Sequence, residues 1–161
     1  MLVYLTMHGA SAWFNPVVDH ITYSQIMIEC SIIGDSIAAG VAQQRQNCFV
    51  NARPGMSSDQ YATINVGRVS AGRVLISLGS NDHASSNIEQ HLRRVRNNIE
   101  SQSVSWLLPA NNNAARSAII KIAGEFGDRL IDVRPFVGRD GVHPTPAGYF
   151  RISNIWLQQG R

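Results

Sequence analysis

The residues Gly34-Asp35-Ser36 close an apolar run that begins at Ile26. A buried strand that stops there lifts a serine hydroxyl onto the carboxyl edge of a sheet, where open α/β sheets bind ligands. Such a hydroxyl becomes a nucleophile only with a base, a group that orients the base, and donors for a developing oxyanion. Asp140-Gly141-Val142-His143, near the other end of the chain, offers the first two. Residues three apart on a tight turn face the same side. The Asp140 carboxylate can then hold one ring nitrogen of His143 and leave the other to take the Ser36 proton. Gly141 lets the backbone turn, and Pro144 stiffens the segment after the base. The candidate oxyanion donors are the Ser36 N–H, the Gly55 N–H and the Asn81 side-chain amide. Gly55 suits the task because a residue without a Cβ lets substrate approach the backbone.

These groups are far apart in sequence, so the fold has to collect them. Ile26 to Ile33, Cys48 to Asn51, Val74 to Leu78, Val104 to Leu108 and Leu130 to Val133 read as short apolar strands, the first of them buried. Helical segments fall between them: Ile37 to Gln46, Ser58 to Ile64, a segment from Ser86, a segment marked by Ala115, Ile119, Ile122 and Phe126, and one opening at Thr145-Pro146. Ser86 and Glu89 form a capping-box pattern. Ile88, Leu92, Val95 and Ile99 then line one helix face. Gly127 is placed to cap the fourth helix, and Tyr149, Ile152, Ile155 and Trp156 face inward from the last. Strands alternating with amphipathic helices predict a parallel sheet covered on both faces, a three-layer αβα sandwich. In a parallel sheet every carboxyl end lies on one rim. Ser36, Gly55, Asn81, Asp140 and His143 each follow a predicted strand, so the topology brings them together.

With these blocks in order, the chain resembles the SGNH hydrolases, the GDSL esterases and lipases. The resemblance runs from about Ile26 to the C-terminus and rests on Gly34-Asp35-Ser36 with Gly40, Gly55, Gly79-Ser80-Asn81-Asp82, and Asp140-Gly141-Val142-His143-Pro144. It implies a flavodoxin-like five-stranded parallel sheet of order 2-1-3-4-5. It also implies serine esterase chemistry without a metal or organic cofactor. Carried over, Ser36 is the nucleophile, His143 the base and then acid, and Asp140 its orienter. Ser36, Gly55 and Asn81 form the oxyanion hole, and Asp35 and Asp82 support the loops. Ala38 and Ala39 depart from the pattern, standing where hydroxyl residues are common in the family. The expected substrate is a small-molecule or polysaccharide acyl ester, with a short acyl group such as acetyl on a carbohydrate preferred. The short loops and the lack of a long apolar segment favour that choice. The runner-up is a lysophospholipase, thioesterase or broad arylesterase. A catalytically inactive carbohydrate-binding module on the same fold is the alternative from another class. A flavin or phosphate binder leaves Asp140 and His143 without a task.

The 161 residues, 44% hydrophobic and 16% charged, predict one globular domain. A formal charge of +3, with no basic run longer than Arg93-Arg94, argues against a nucleic-acid partner. No stretch is apolar and long enough to span a membrane. Residues 1–24 read as an N-terminal extension of unassigned role, and residues 25–161 as the hydrolase domain. Ala10-Ser11-Ala12 looks like a cleavage site, but no Lys or Arg precedes it, which leaves the compartment open between cytoplasmic and exported. Oligomeric state is unreadable. Cys30 and Cys48 read as two buried thiols, with a disulfide only if their strands are neighbours. No Cys/His spacing suggests a metal site. His83 is a candidate substrate contact against the plainer reading of a surface histidine. His91 reads as solvated on its helix. His8 and His20 have no nameable partner. Asn111-Asn112-Asn113 could line the cleft or simply start a helix.

Overall fold

Five parallel strands form one sheet, and each carboxyl end opens into a loop on the same rim. The computed structural model describes residues 28–65, 67–83 and 87–158. The strands are β1 (Cys30–Gly34), β2 (Phe49–Ala52), β3 (Val69–Ser77), β4 (Ile99–Leu108) and β5 (Arg129–Asp132), in spatial order β2-β1-β3-β4-β5. Every neighbouring pair is parallel. The helices are α1 (Ser36–Ala42), α2 (Ser58–Ile64), α3 (Ile88–Asn97), α4 (Asn113–Phe126) and α5 (Pro146–Gln158).

Alternation along the strands sorts two cores. Ile33, Val74, Ile76, Val104 and Trp106 face α2, α3 and α4, meeting Tyr61, Leu92, Val95, Ile119 and Ile122. Ile32, Leu75, Leu107 and Ile131 face α1 and α5, meeting Ile37, Val41, Ile152 and Trp156. Because both faces are covered, the inner strands β1, β3 and β4 end in continuous buried runs, whereas the edge strand β2 leaves Phe49 and Val50 exposed. Removing each large aliphatic side chain from water contributes roughly 1.5–3 kcal/mol. Trp106 is fully buried, as a core tryptophan should be, and its indole N–H donates to Asp128 over 2.9 Å.

Several expectations shift. The first strand covers Cys30–Gly34, and Ile26 lies outside the described residues. Helix α1 stops at Ala42, well before Gln46. Strands β3 and β4 begin earlier than their apolar runs. Ile99, expected on a helix face, instead starts β4 opposite Val69. Phe126 is exposed, with Arg96 stacked 4.4 Å from its ring centroid, so the inward face of α4 ends before it. His91 is half-buried and lies 3.5 Å from Asp59 rather than standing in solvent. Gly127 caps α4 at φ +71° as the sequence suggests. Cys30 and Cys48 are not two free thiols but a disulfide. The pairing follows from β1 and β2 being neighbours, with Cys48 one residue before β2. The Ser86 half of the capping box, residues 1–24, and with them His8 and His20, lie outside the described residues.

Candidate active site

Strand β1 ends at Gly34, where φ is +130° and a Cβ would stand 1.8 Å from the Ser77 carbonyl oxygen of β3. Only glycine lets the two backbones run that close. Asp35 N then donates to Ser77 O over 2.9 Å, and the chain turns into α1. Asp35 is the N-cap of that helix. Its Oδ1 accepts from the N–H groups of Ile37 (3.0 Å) and Ala38 (3.4 Å) and from Ser77 Oγ (2.8 Å). Burial pushes the Asp35 carboxyl up to about 6, although these bonds pull the other way. Ser36 follows as the first helical residue and is half-buried.

His143 comes from the loop between β5 and α5. After the 3₁₀ turn Arg134–Phe136, that loop folds back on itself. Val137 pairs with Pro144, Gly138 N donates to His143 O over 2.7 Å, and Thr145 N donates to Phe136 O over 2.9 Å. Asp140 sits at its tip. Asp140 Oδ1 accepts from Val142 N and His143 N, each at 2.9 Å, and Oδ2 lies 2.8 Å from His143 Nδ1. The same carboxylate shapes the turn and holds the ring. The two backbone donors and the ring hold it down at about 2. An ionised carboxylate only accepts, so Nδ1 carries the proton and Nε2 presents a lone pair. That lone pair lies 2.9 Å from Ser36 Oγ.

The structure thus brings Ser36, His143 and Asp140 into one chain of hydrogen bonds. Gly55 lies exposed in the turn after β2, at φ +78°, and a Cβ there would meet open space. Asn81, half-buried after β3, donates from Nδ2 to Met56 O over 3.0 Å, which ties its loop to the one carrying Gly55. One N–H of that amide suffices for the bond, and the second has no partner among the described residues. Asp82 is buried and accepts from Ser58 N (3.0 Å) and Ser58 Oγ (2.6 Å), fixing the same loop to the start of α2. His83 is exposed, its Nε2 3.5 Å from Asn111 Nδ2.

Sequence reading passed over several supports. Ser57 and Gln60 make a true capping box on α2, and their spacing could have shown it. The helix start read at Asn111-Asn112-Asn113 holds, with Asn112 the N-cap of α4, and Asn111 Nδ2 also donates to Ser80 O over 3.1 Å. Arg116 donates to Leu108 O, Pro109 O and Asp132, joining the ends of β4 and β5. No group of three His, Cys, Asp or Glu side chains suited to a metal occurs among the described residues.

No protein-family description matches the sequence, and no curated protein does either. Solved structures do match. An aryl esterase from M. smegmatis superposes with a TM-score of 0.59 at 12% identity, over 81% of this chain and 97% of that one. A carbohydrate acetylesterase from Sinorhizobium meliloti gives 0.57 at 9% identity, over 81% and 97%. A G-D-S-L family protein from Desulfitobacterium hafniense gives 0.51 at 15% identity, over 83% and 99%. At such identities the likeness is one of architecture. Together with the strand order β2-β1-β3-β4-β5 and the helices on both faces, it shows that this chain has the fold of the SGNH hydrolases, the G-D-S-L esterases and lipases.

Proposed function

We propose that this protein is a serine hydrolase of O-acyl esters that works through an acyl-Ser36 intermediate. One observation carries the reading: the unbroken run from Ser36 Oγ through the His143 ring to Asp140, with steps of 2.9 and 2.8 Å. Ser36 Oγ attacks the ester carbonyl carbon while its proton passes to His143 Nε2. The positive ring is stabilised by Asp140. The carbonyl oxygen becomes an oxyanion, received by the N–H groups of Ser36 and Gly55 and by the free Asn81 N–H. Collapse breaks the ester bond, and His143 returns the proton to the departing alcohol. Water then adds to the acyl group with His143 again as base, and the acid leaves as Ser36 regains its proton.

A short acyl group on a carbohydrate is the preferred substrate. His143 and Asp140 stand exposed on an open rim, which suits an ester carried by a bulky polar alcohol. A carbohydrate acetylesterase among the superposed structures adds support. The test is a panel of p-nitrophenyl esters and acetylated sugars, run beside fluorophosphonate labelling. Wild-type protein should label at Ser36 and prefer acetyl. Ser36→Ala and His143→Ala should each lose turnover on the order of 10³-fold or more. Preference for long acyl chains would move the assignment to a lipase or thioesterase. Intact protein that neither labels nor hydrolyses would remove the enzyme reading.

A further inference from the structure

The turn that carries Asn81 is built by a residue 31 positions further along the chain, in the loop between β4 and α4. Gly79 O closes that turn by accepting from Asp82 N at 3.4 Å, and it also accepts from Asn112 Nδ2 at 2.9 Å. The two bonds share one oxygen, so the position of the turn follows the position of the Asn112 amide. The other end of that amide is also occupied: Asn112 Oδ1 accepts from Ala115 N over 3.1 Å and caps α4. Asn112 is buried, with 8% of its surface exposed, so neither bond competes with bulk water. Contact between the two parts is close. A Cβ on Gly79, at φ +106°, would stand 2.7 Å from the Ala115 Cβ. Only the bare glycine backbone fits against the first turn of α4.

We propose that Asn112 is a positioning residue for the oxyanion side of the site. It locks the Gly79–Asp82 turn to the start of α4 so that Asn81 stays aimed at the carbonyl oxygen. This rests on the serine-hydrolase reading above. On the far side the turn is held by Asp82 to Ser58 and by Asn81 to Met56 O. Without Asn112 it would be anchored from that side, with Asn111 on Ser80 O as the remaining link to the β4–α4 loop. An amide is the only side chain of this length that both caps a helix and donates in the opposite direction. The two duties can therefore be separated. Asn112→Asp keeps an oxygen for Ala115 N but replaces the donor with a second oxygen facing Gly79 O.

The experiment compares wild type, Asn112→Asp and Asn112→Ser in three measurements: p-nitrophenyl acetate kinetics, thermal midpoint, and the side-chain amide resonances of Asn81. In Asn112→Asp we expect kcat to fall about 10- to 100-fold, with KM changed by less than about threefold. The thermal midpoint should fall as well, because the cap survives but a buried carboxylate oxygen now faces the Gly79 carbonyl without a donor. The Asn81 amide protons should shift and exchange with water at least about tenfold faster, as their turn loosens. Asn112→Ser, a cap whose single shorter hydroxyl does not reach Gly79 O while accepting from Ala115 N, should shift the Asn81 resonances alike without burying a charge. Unchanged Asn81 resonances in Asn112→Asp would overturn the proposal, whether or not kcat or stability falls. If the wild-type protein itself shows no turnover, the serine-hydrolase reading fails, while the Asn81 resonances still decide whether Asn112 sets that turn.

Discussion

Two aspartates stand beside the same serine and are opposites in environment. Asp35 precedes Ser36 and is fully buried, its Oδ2 without a hydrogen-bond partner among the described residues. Asp140 reaches Ser36 through His143 and is exposed. Burial lifts the Asp35 carboxyl to about 6, whereas hydrogen bonds hold Asp140 at about 2. Desolvation penalises a charge wherever its partners are too few, and donors on an exposed carboxylate favour the charge with little to oppose them. The pair therefore divides the work. Asp35 shapes the backbone that presents Ser36, and Asp140 holds a dependable negative charge against the His143 ring.

Asparagine at each position is the sharpest way to break this contrast. Asp140→Asn leaves an oxygen for Val142 N and His143 N but turns an amide toward the ring, which selects the wrong tautomer. Turnover should fall on the order of 10²–10⁴-fold with the fold intact. Asp35→Asn keeps the oxygen that accepts from Ile37, Ala38 and Ser77. Its loss should be at least about tenfold smaller. Equal losses in steady-state rates would show that the division of labour is wrong.

Stability against pH measures the same difference without substrate. The folded Asp35 value lies above the ordinary 3.8, so the native state holds a proton that the unfolded chain has released. Its contribution is complete below about pH 4 and is lost as pH rises through about 6. A gap of this size is about 3 kcal/mol. Urea unfolding of wild type and Asp35→Asn at pH 4 to 7 should show the variant gaining on wild type by that order toward neutrality. Asp140 has the reverse sign: its contribution is present above the ordinary carboxylate value and is lost as pH falls toward 2. A constant difference between wild type and Asp35→Asn would mean that the buried charge carries no penalty.

How much of this could be read from letters alone depends on which force makes each part. The ends of the strands are legible because burial on both faces demands runs such as Val74-Leu75-Ile76, and motif residues follow those ends. The beginnings are not. Val69 to Arg73 includes Ser70, Gly72 and Arg73, and backbone pairing holds it in place, with Gly72 N donating to Ile28 O and Arg73 N to Glu29 O. Ser36, His143 and Asp140 stand out because chemistry restricts their types. Asn112 does not, since a side chain bonded to a carbonyl 33 residues away leaves no periodic trace. The Cys30–Cys48 link was open for a similar reason: it depends on which strands are neighbours, which periodicity alone does not tell.

The smallest effect tests the seam between the two halves of the site. Tyr149 of α5 lies against Gly40 of α1, one turn beyond Ser36. Burial raises its phenol, and the charges of Asp35 and then Asp140 raise it further, so the ring stands within the field of both aspartates. Helix propensity alone makes Gly40→Ala favourable by about 1 kcal/mol. Contact says the opposite, because the new Cβ would lie 2.3 Å from Tyr149 Cε1 and 2.8 Å from its hydroxyl oxygen. Either the ring leaves or the helices part, and overpacking of this kind costs about 1–3 kcal/mol. Gly40→Ala should therefore destabilise wild type by about 1–2 kcal/mol in urea. In a Tyr149→Ala background the clash is gone, and the same substitution should stabilise by roughly 0.5–1 kcal/mol. A gain in both backgrounds would mean that the ring yields freely. Ser36 and His143 would then owe their spacing to their own loops, not to the packing of α1 on α5.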